Sequence, residues 1–130
     1  MRGEFDPRPL ATALLGKGWH TAMPVVIAKS PLEYRPWSPG CAMESGVWDI
    51  PVPRDGPAVR PDVLLAPVVG FDTRRFRLGY GGGYFDRTLA ALKPRPVAIA
   101  VGFEFQRLPS IEPGEFDLPF DFIVTETTIY

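Results

Sequence analysis

Apolar residues along the chain fall into short runs that are separated by proline- and glycine-rich stretches. The longest continuous run, Val63 to Val69, predicts a strand covered on both faces, which is typical of parallel pairing. The runs Thr21 to Ala28 and Val97 to Val101 predict further buried strands, and a last short strand is predicted at Phe122 to Thr125. Prolines flank and enter the run Leu32 to Trp37, so we expect that strand to lie at a sheet edge.

Two other segments predict helices. Asp6 can cap a short helix that begins with prolines and ends at Gly16 or Gly18, and residues 88–93 predict a second helix. Residues 38–61 are rich in proline and glycine and contain only short apolar pieces, which predicts a long loop.

Strands that alternate with helices predict an α/β fold with a mostly parallel sheet and flanking helices. A chain of 130 residues suffices for one core, so we predict a single domain over residues 1–130. Ligands of such sheets bind at the carboxyl ends of the strands. The segments Gly79 to Gly83 and Gly102 to Gln106 each follow a predicted strand, and we expect them to line one crevice.

The composition, 45% hydrophobic and 22% charged, is that of a soluble globular protein. A net charge of −1 gives no general attraction to nucleic acid or to an anionic membrane. The single cysteine, Cys41, excludes an internal disulfide, and no run resembles a signal peptide or a membrane span, so we expect a cytoplasmic protein. His20 is the only histidine and Cys41 the only cysteine, which disfavours a Ser/His/Asp or Cys/His nucleophile by residue type. The same two residues are too few ligands for a zinc site.

The glycine cluster Gly79 to Gly83 lies between Arg77 and Arg87. Its four glycines allow backbone angles that a Cβ forbids, so successive N–H groups can turn toward one point, and the helix start that follows adds a partial positive charge. The spacing fits neither the dinucleotide-binding fingerprint nor the P-loop, and a flexible turn without a ligand is the alternative. Aromatic, arginine and aspartate residues interleave with the glycines, which favours a phosphate-binding loop.

The stretch from Phe71-Asp72 through Arg77-Leu78-Gly79 to Asp86-Arg87 closely resembles the signature of the 5-formyltetrahydrofolate cyclo-ligase family, also called methenyltetrahydrofolate synthetases. That signature consists of Phe-Asp, a spacer, Arg-Leu-Gly, a glycine-rich turn and Tyr-Tyr-Asp. Further segments in the family order extend the resemblance over nearly the whole chain: Gly3 to Asp6, Trp48 to Pro53, Pro61 to Val63, Gln106, Phe116-Asp117 and Ile123 to Glu126.

Three features depart from the family pattern. Arg75 stands where the family usually has glycine, Phe85 replaces the second tyrosine, and family members carry an additional N-terminal helix and strand whose basic residues contact ATP. The resemblance therefore implies a three-layer, Rossmann-like fold that is N-terminally truncated relative to the family. Without that strand we expect an exposed sheet edge or self-association through it. Arg74 and Arg75 are expected to point into solvent, although Arg75 could replace a missing basic side chain if it faced the site.

The resemblance implies an ATP- and Mg²⁺-dependent enzyme of one-carbon metabolism that converts 5-formyltetrahydrofolate to 5,10-methenyltetrahydrofolate. In the family mechanism ATP phosphorylates the formyl oxygen, N10 attacks the activated carbon, and phosphate leaves, so no protein nucleophile is needed. Two alternatives stay open: a catalytically impaired folate- or nucleotide-binding member of the same fold, and an inactive fragment that completes its site by association with another chain.

The resemblance also implies site residues. Arg77 and Tyr84 are the implied catalytic residues, and Asp86 and Asp117 the implied Mg²⁺ ligands. The implied ATP-binding residues are continuous in sequence: Arg77, Leu78, Gly79, Tyr80, Gly81, Gly82, Gly83, Tyr84 and Phe85. The implied folate-binding residues are more scattered: Glu4, Trp48, Tyr80, Gly81, Gly82, Gly83 and Tyr84.

Several of these residues have a purely structural alternative. Asp86 can instead cap the helix that follows it, and Asp117 and Glu4 can be solvated surface charges. Trp48 and Phe85 can instead pack in a core, which is the commoner fate of aromatic side chains.

Overall fold

The computed structural model describes residues 6–78, 83–112 and 118–130. The chain divides into two compact units, one formed by Asp6–Pro61 and the other containing Asp62–Tyr130. The expectation of a single domain over residues 1–130 stays a prediction.

Helix α1, Arg8–Gly16, opens the N-terminal unit. Pro7 occupies its N-cap position, so the prediction that Asp6 would be the cap is wrong by one residue. The Asp6 carboxylate instead accepts a hydrogen bond from the Arg8 N–H at 3.1 Å. The predicted stop is confirmed, because α1 ends at Gly16 and Gly18 follows with the left-handed φ of +89° that favours glycine.

Four strands form two antiparallel pairs in this unit. Strand β1, Ala22–Val25, pairs with β2, Glu33–Pro36, so both predicted strands exist but are shorter than expected. The predicted long loop over residues 38–61 is wrong in part, since β3, Met43–Ser45, pairs with β4, Pro51–Pro53, around a 3₁₀ turn at Val47–Asp49.

A parallel sheet forms the centre of the C-terminal unit. Strands β5, Val63–Pro67, β8, Val97–Val101, and β9, Phe122–Val124, lie in the order β5-β8-β9, which confirms the predicted α/β class and parallel pairing. One face supplies the buried side chains Leu64, Ala66, Ala98, Ala100 and Ile123.

Within residues 6–78, 83–112 and 118–130 the opposite face of this sheet is only partly covered, which corrects the expectation that both faces would be buried. Side chains along it alternate with the buried ones, and Val63, Val97 and Phe122 are 40%, 42% and 46% exposed. A continuous apolar run therefore does not by itself distinguish a strand buried on both faces from one buried on a single face.

A short hairpin and a helix lie between β5 and β8 in the sequence. Strands β6, Gly70–Phe71, and β7, Arg77–Leu78, form a short antiparallel hairpin that is too brief to leave a pattern in the sequence. Helix α2, Tyr84–Ala91, begins four residues before the predicted Thr88 and buries Thr88 and Leu89.

Candidate functional site

Asp72 organises the β6–β7 hairpin. Its side chain is 1% exposed and accepts hydrogen bonds at 2.9 Å from the Arg74 N–H and the Ile111 N–H, and it forms an ion pair at 2.9 Å with the Arg74 guanidinium. Burial acts to raise the pKa of Asp72, but the hydrogen bonds from Ile111 and Arg74 outweigh it and hold the pKa below its ordinary value. Asp72 thereby fixes the strand that carries Arg77.

Arg77 lies at the carboxyl end of strand β5. Its Nε and Nη2 atoms donate to the Pro67 carbonyl oxygen at 3.1 and 2.6 Å. The guanidinium carbon also lies 5.0 Å from the centroid of the Phe85 ring and 5.8 Å from that of the Phe120 ring. A positive charge is therefore held at the sheet edge where ligands of parallel sheets bind.

The start of α2 lies beside this charge. Gly83 is the N-cap and has a left-handed φ of +65°, so Asp86 is not the N-cap residue itself, and its help in capping the helix stays an open alternative. Asp86 lies in the first turn, and its Oδ1 atom accepts a hydrogen bond at 3.2 Å from the N–H of Leu118, the residue that follows Asp117 in the sequence. Asp86 is thus a half-buried carboxylate that links the helix start to the segment before β9.

The aromatic residues of this turn contact arginines rather than a closed core. Phe85 is half-buried under Arg77, so the simple core alternative for Phe85 is wrong. The Arg87 guanidinium lies 5.3 Å from the centroid of the Tyr84 ring. Such pairs use the negative faces of the aromatic rings to hold cations in place.

The loop after β8 is tied to the end of β5. Gln106 Nε2 donates to the Val68 carbonyl oxygen at 3.1 Å, and Gln106 Oε1 accepts from the Phe103 N–H at 2.8 Å. A Cβ on Gly102 would clash with Val68 Cγ2, so only glycine fits there without a shift. This connection was missed because a close approach between two loops leaves no sequence signal beyond the glycine itself.

Exposed apolar side chains surround this edge. Phe105 is 78% exposed and stacks on Phe103 with ring centroids 5.7 Å apart, while Leu78 and Leu108 are also exposed. A Cβ on Gly70 would lie 3.0 Å from Leu108 and 3.2 Å from Leu78, so these two leucines are neighbours. The described edge is therefore apolar around one fixed arginine, a combination common in ligand sites.

Trp48 belongs to the N-terminal unit, where it lies in the turn between β3 and β4. It is 69% exposed, so the core alternative for Trp48 is wrong. Its φ of +60° and that of Asp49, +56°, are left-handed, and the Ser45 hydroxyl donates to the Asp49 carboxylate at 2.9 Å. The turn thus exposes a large aromatic side chain, and its backbone has a left-handed conformation that residues other than glycine rarely adopt.

Arg74 and Arg75 do not simply point into solvent, which corrects that expectation. The Arg74 guanidinium donates to Asp72, to the Ser110 hydroxyl and to the Ile111 carbonyl oxygen. Arg75 donates through Nε to the Phe120 carbonyl oxygen at 3.0 Å, with a left-handed φ of +73°.

Six predicted site residues lie outside the described residues: Glu4, Gly79, Tyr80, Gly81, Gly82 and Asp117. Within the described ranges no group of three or more histidine, cysteine, aspartate or glutamate residues is arranged to hold a metal ion. In the same part of the chain no helix is long and apolar enough to cross a membrane.

Comparison with known proteins gives one consistent family. The sequence model of the 5-formyltetrahydrofolate cyclo-ligase family matches residues 1–126. A 5-formyltetrahydrofolate cyclo-ligase of Escherichia coli (strain K12) is 32% identical to this chain, and the match covers 98% of this chain and 75% of that protein. A 5-formyltetrahydrofolate cyclo-ligase of Haemophilus influenzae is 28% identical, and the match covers 94% of this chain and 70% of that protein.

A solved structure supports the same relationship. The NMR structure of Aquifex aeolicus 5,10-methenyltetrahydrofolate synthetase superimposes with a TM-score of 0.79 at 30% identity and covers 99% of this chain. The match spans 66% of the Aquifex chain, so this chain corresponds to about two thirds of that protein.

Proposed function

The chain belongs to the 5-formyltetrahydrofolate cyclo-ligase family, a family of ligases, and on that premise we propose that it converts 5-formyltetrahydrofolate to 5,10-methenyltetrahydrofolate. The reaction consumes ATP and releases ADP and phosphate. Arg77 is the single observation that carries the proposal most directly, since its charge is fixed beside the first turn of α2 at the carboxyl end of β5.

The proposed ATP site is the stretch from Arg77 to Phe85. Arg77 and the backbone N–H groups before α2 neutralise the phosphates, and the left-handed Gly83 leaves space there, since a Cβ at this position would meet nothing within 4 Å. The γ-phosphoryl group passes from ATP to the formyl oxygen, N10 attacks the formyl carbon, and the C–O bond to phosphate breaks. Arg77 and Tyr84 are the residues proposed to act on the reacting groups.

Asp86 and Asp117 are the proposed Mg²⁺ ligands. Two separated carboxylates suit Mg²⁺, which fills its other positions with water and phosphate oxygens. Support comes from the hydrogen bond between the Leu118 N–H and Asp86, which joins Asp86 to the segment that follows Asp117. When bound, Mg²⁺ would neutralise charge on the ATP phosphates.

The proposed folate contacts are those that the family resemblance implies: Glu4, Trp48, Tyr80, Gly81, Gly82, Gly83 and Tyr84. The exposed indole of Trp48 supports a stacking role. The proposed partners are 5-formyltetrahydrofolate and ATP, without nucleic acid or membrane, and the proposed compartment is the cytoplasm. A net charge of −1 supports only the part of this proposal that leaves out nucleic acid and anionic membranes.

The test is a product assay on the purified chain with ATP, Mg²⁺ and 5-formyltetrahydrofolate, which follows the absorbance of the methenyl product. We expect turnover that requires both ATP and Mg²⁺. Stabilisation by ligands without turnover would instead favour the impaired, ligand-binding alternative.

Asp86→Asn tests the metal proposal in the same assay. Asparagine still accepts the Leu118 hydrogen bond but lacks the charge that Mg²⁺ needs, so we expect weaker Mg²⁺-dependent ATP binding with little change in Tm. Asp55→Asn is the matched control, because Asp55 is exposed and pairs only with the adjacent Arg54 among the described contacts. A large loss of stability with unchanged Mg²⁺ dependence would contradict the metal role of Asp86.

A further inference from the structure

A second cationic feature lies in the C-terminal unit, apart from Arg77. A solvent-open cavity of about 280 Å³ is lined by Arg75, Arg95 and residues 118–121. A water molecule in the liquid occupies about 30 Å³, so the cavity has room for a small hydrated anion. Two guanidinium groups and the Asp121 carboxylate give its lining a net charge of +1.

Arg95 and Asp121 form a fixed wall of this cavity. Arg95 Nη1 lies 3.0 Å from both carboxylate oxygens of Asp121, and Arg95 Nη2 donates to the Pro119 carbonyl oxygen at 2.8 Å. Asp121 also accepts a hydrogen bond at 2.7 Å from the Ala98 N–H in strand β8. The charge of Arg95 is therefore compensated inside the protein.

The charge of Arg75 is not compensated in this way. Its backbone is tied on both sides, by a hydrogen bond from its N–H to Asp72 O at 3.0 Å and by one from the Phe120 N–H to its carbonyl oxygen at 2.8 Å. Its Nε atom bonds Phe120 O, but among the described residues neither Nη atom has a hydrogen bond and no carboxylate pairs with the side chain. A left-handed backbone thus holds Arg75 in the lining of the cavity, with its two terminal nitrogens outside any hydrogen bond between described residues.

The cavity adjoins the proposed phosphoryl-transfer site through two of its own residues. Leu118 donates to Asp86, and the ring of Phe120 lies 5.8 Å from the Arg77 guanidinium carbon. From these contacts we propose that the cavity binds a phosphate oxyanion and that Arg75 is its principal donor. Guanidinium pairs equally well with carboxylates, so the choice of phosphate rests on the proposed function.

The experiment measures binding of inorganic phosphate, acetate and ADP to the intact chain by titration calorimetry. The variants are Arg75→Gln, which keeps most of the length and removes the charge, and Arg75→Gly, which suits the left-handed backbone and so keeps the fold. Arg54→Gln is the matched control, because Arg54 is exposed and pairs with its sequence neighbour Asp55. Tm of each variant checks folding.

We expect both Arg75 variants to weaken phosphate binding by about tenfold or more, the size expected for a lost charge-assisted hydrogen bond, while Arg54→Gln has no effect. A parallel loss of ADP affinity would assign the bound phosphate to the nucleotide, and a loss for inorganic phosphate alone would assign it to the free anion; both support the proposal. Phosphate binding that is absent, is unchanged by either variant or is matched by acetate overturns it. All of these outcomes are measured as binding and none requires turnover. A failure of the phosphate-binding proposal can therefore be distinguished from a failure of the proposed enzyme activity.

Discussion

Arg77 combines in one side chain the geometry and the charge that the proposed reaction needs. Its two hydrogen bonds to Pro67 fix the plane of the guanidinium, and Phe85 lies against it. Lysine carries the same charge but cannot donate in that fixed planar arrangement. The contribution of Arg77 is therefore orientation as well as charge.

Arg77→Lys tests that orientation. We expect kcat to fall by about a hundredfold, less than the three to five orders of magnitude for losing an arginine contact to a transferring phosphoryl group. KM for ATP should change much less, because the remaining loop contacts bind ATP in the ground state as well as in the transition state. Arg54→Lys is the control, since Arg54 is exposed and pairs with its sequence neighbour Asp55. A kcat within twofold of the parent would contradict the positioning role.

Asp72 gives a prediction for the pH dependence of stability. Its folded-state pKa lies below the ordinary 3.8, so its contribution is fully present above that value and is lost as the pH falls through the folded-state pKa. Asp72→Asn should lower the free energy of unfolding at neutral pH by about 1.5 to 3 kcal/mol, the range for hydrogen bonds to a charged group.

Denaturant unfolding at a series of pH values checks this. The difference between Asp72→Asn and the parent should begin to shrink as the pH falls below about 3.8, where the unfolded chain takes up the proton first, and should vanish once the pH lies below the lowered folded-state pKa. Asp55→Asn, at an exposed carboxylate, should show no such change. A difference that is independent of pH would show that the carboxylate charge does not hold the hairpin.

Among the elements, the sequence predicts those whose side chains repeat over several residues. Strands β5 and β8 were found because each is a continuous apolar run. Strands β3 and β4 were missed, since each has three residues and prolines occupy two positions of β4. The start of α2 was placed late because its first turn was assigned to the glycine-rich loop.

The residues of the candidate site show the same difference between features with a local sequence pattern and features without one. The family signature points to Arg77 and Asp86 as site residues, and that assignment stays a prediction, whereas the role of Asp72 depends on Ile111, 39 positions away, and is invisible locally. The left-handed φ of Arg75 had a usable signal, because a family glycine at that position indicates a positive φ. Long-range partners are therefore the part that sequence reasoning could not supply.

Gly102→Ala tests the contact between the loops after β5 and β8. The new Cβ would meet Val68 Cγ2 and Gln106 Oε1, so we expect a loss of about 1 to 3 kcal/mol in the free energy of unfolding. Adding Val68→Ala should recover part of that loss by removing the clash. Gly16→Ala, where a Cβ meets nothing within 4 Å, should be neutral or slightly stabilising. Additive effects of Gly102→Ala and Val68→Ala would contradict the clash.

At the scale of the whole molecule, the sheet face that the described residues leave partly exposed has a consequence for assembly. Val63, Val97 and Phe122 expose apolar surface on one face, and among the described residues no strand pairs with the outer edge of β5. Such an edge and face favour association with another chain. We therefore expect two copies of this chain to associate through the β5-β8-β9 sheet.

Sedimentation velocity over a range of concentrations measures that association. Phe122→Lys should shift the distribution toward the monomer, because it places a charge on the apolar face without touching Arg77 or Asp86. Ile27→Lys is the control, since Ile27 is 40% exposed and belongs to the N-terminal unit rather than to this sheet. A purely monomeric parent, or equal effects of the two variants, would contradict association through this face.

The most direct test of the central claim follows the oxygen atom of the substrate's formyl group. The purified chain is given ATP, Mg²⁺ and 5-formyltetrahydrofolate with ¹⁸O in the formyl group, and the released phosphate is analysed by mass spectrometry. If ATP phosphorylates the formyl oxygen before N10 attacks, the label leaves with the phosphate, and one ¹⁸O per phosphate should appear for each methenyl product formed. Unlabelled phosphate alongside product, or no product at all, would contradict the account.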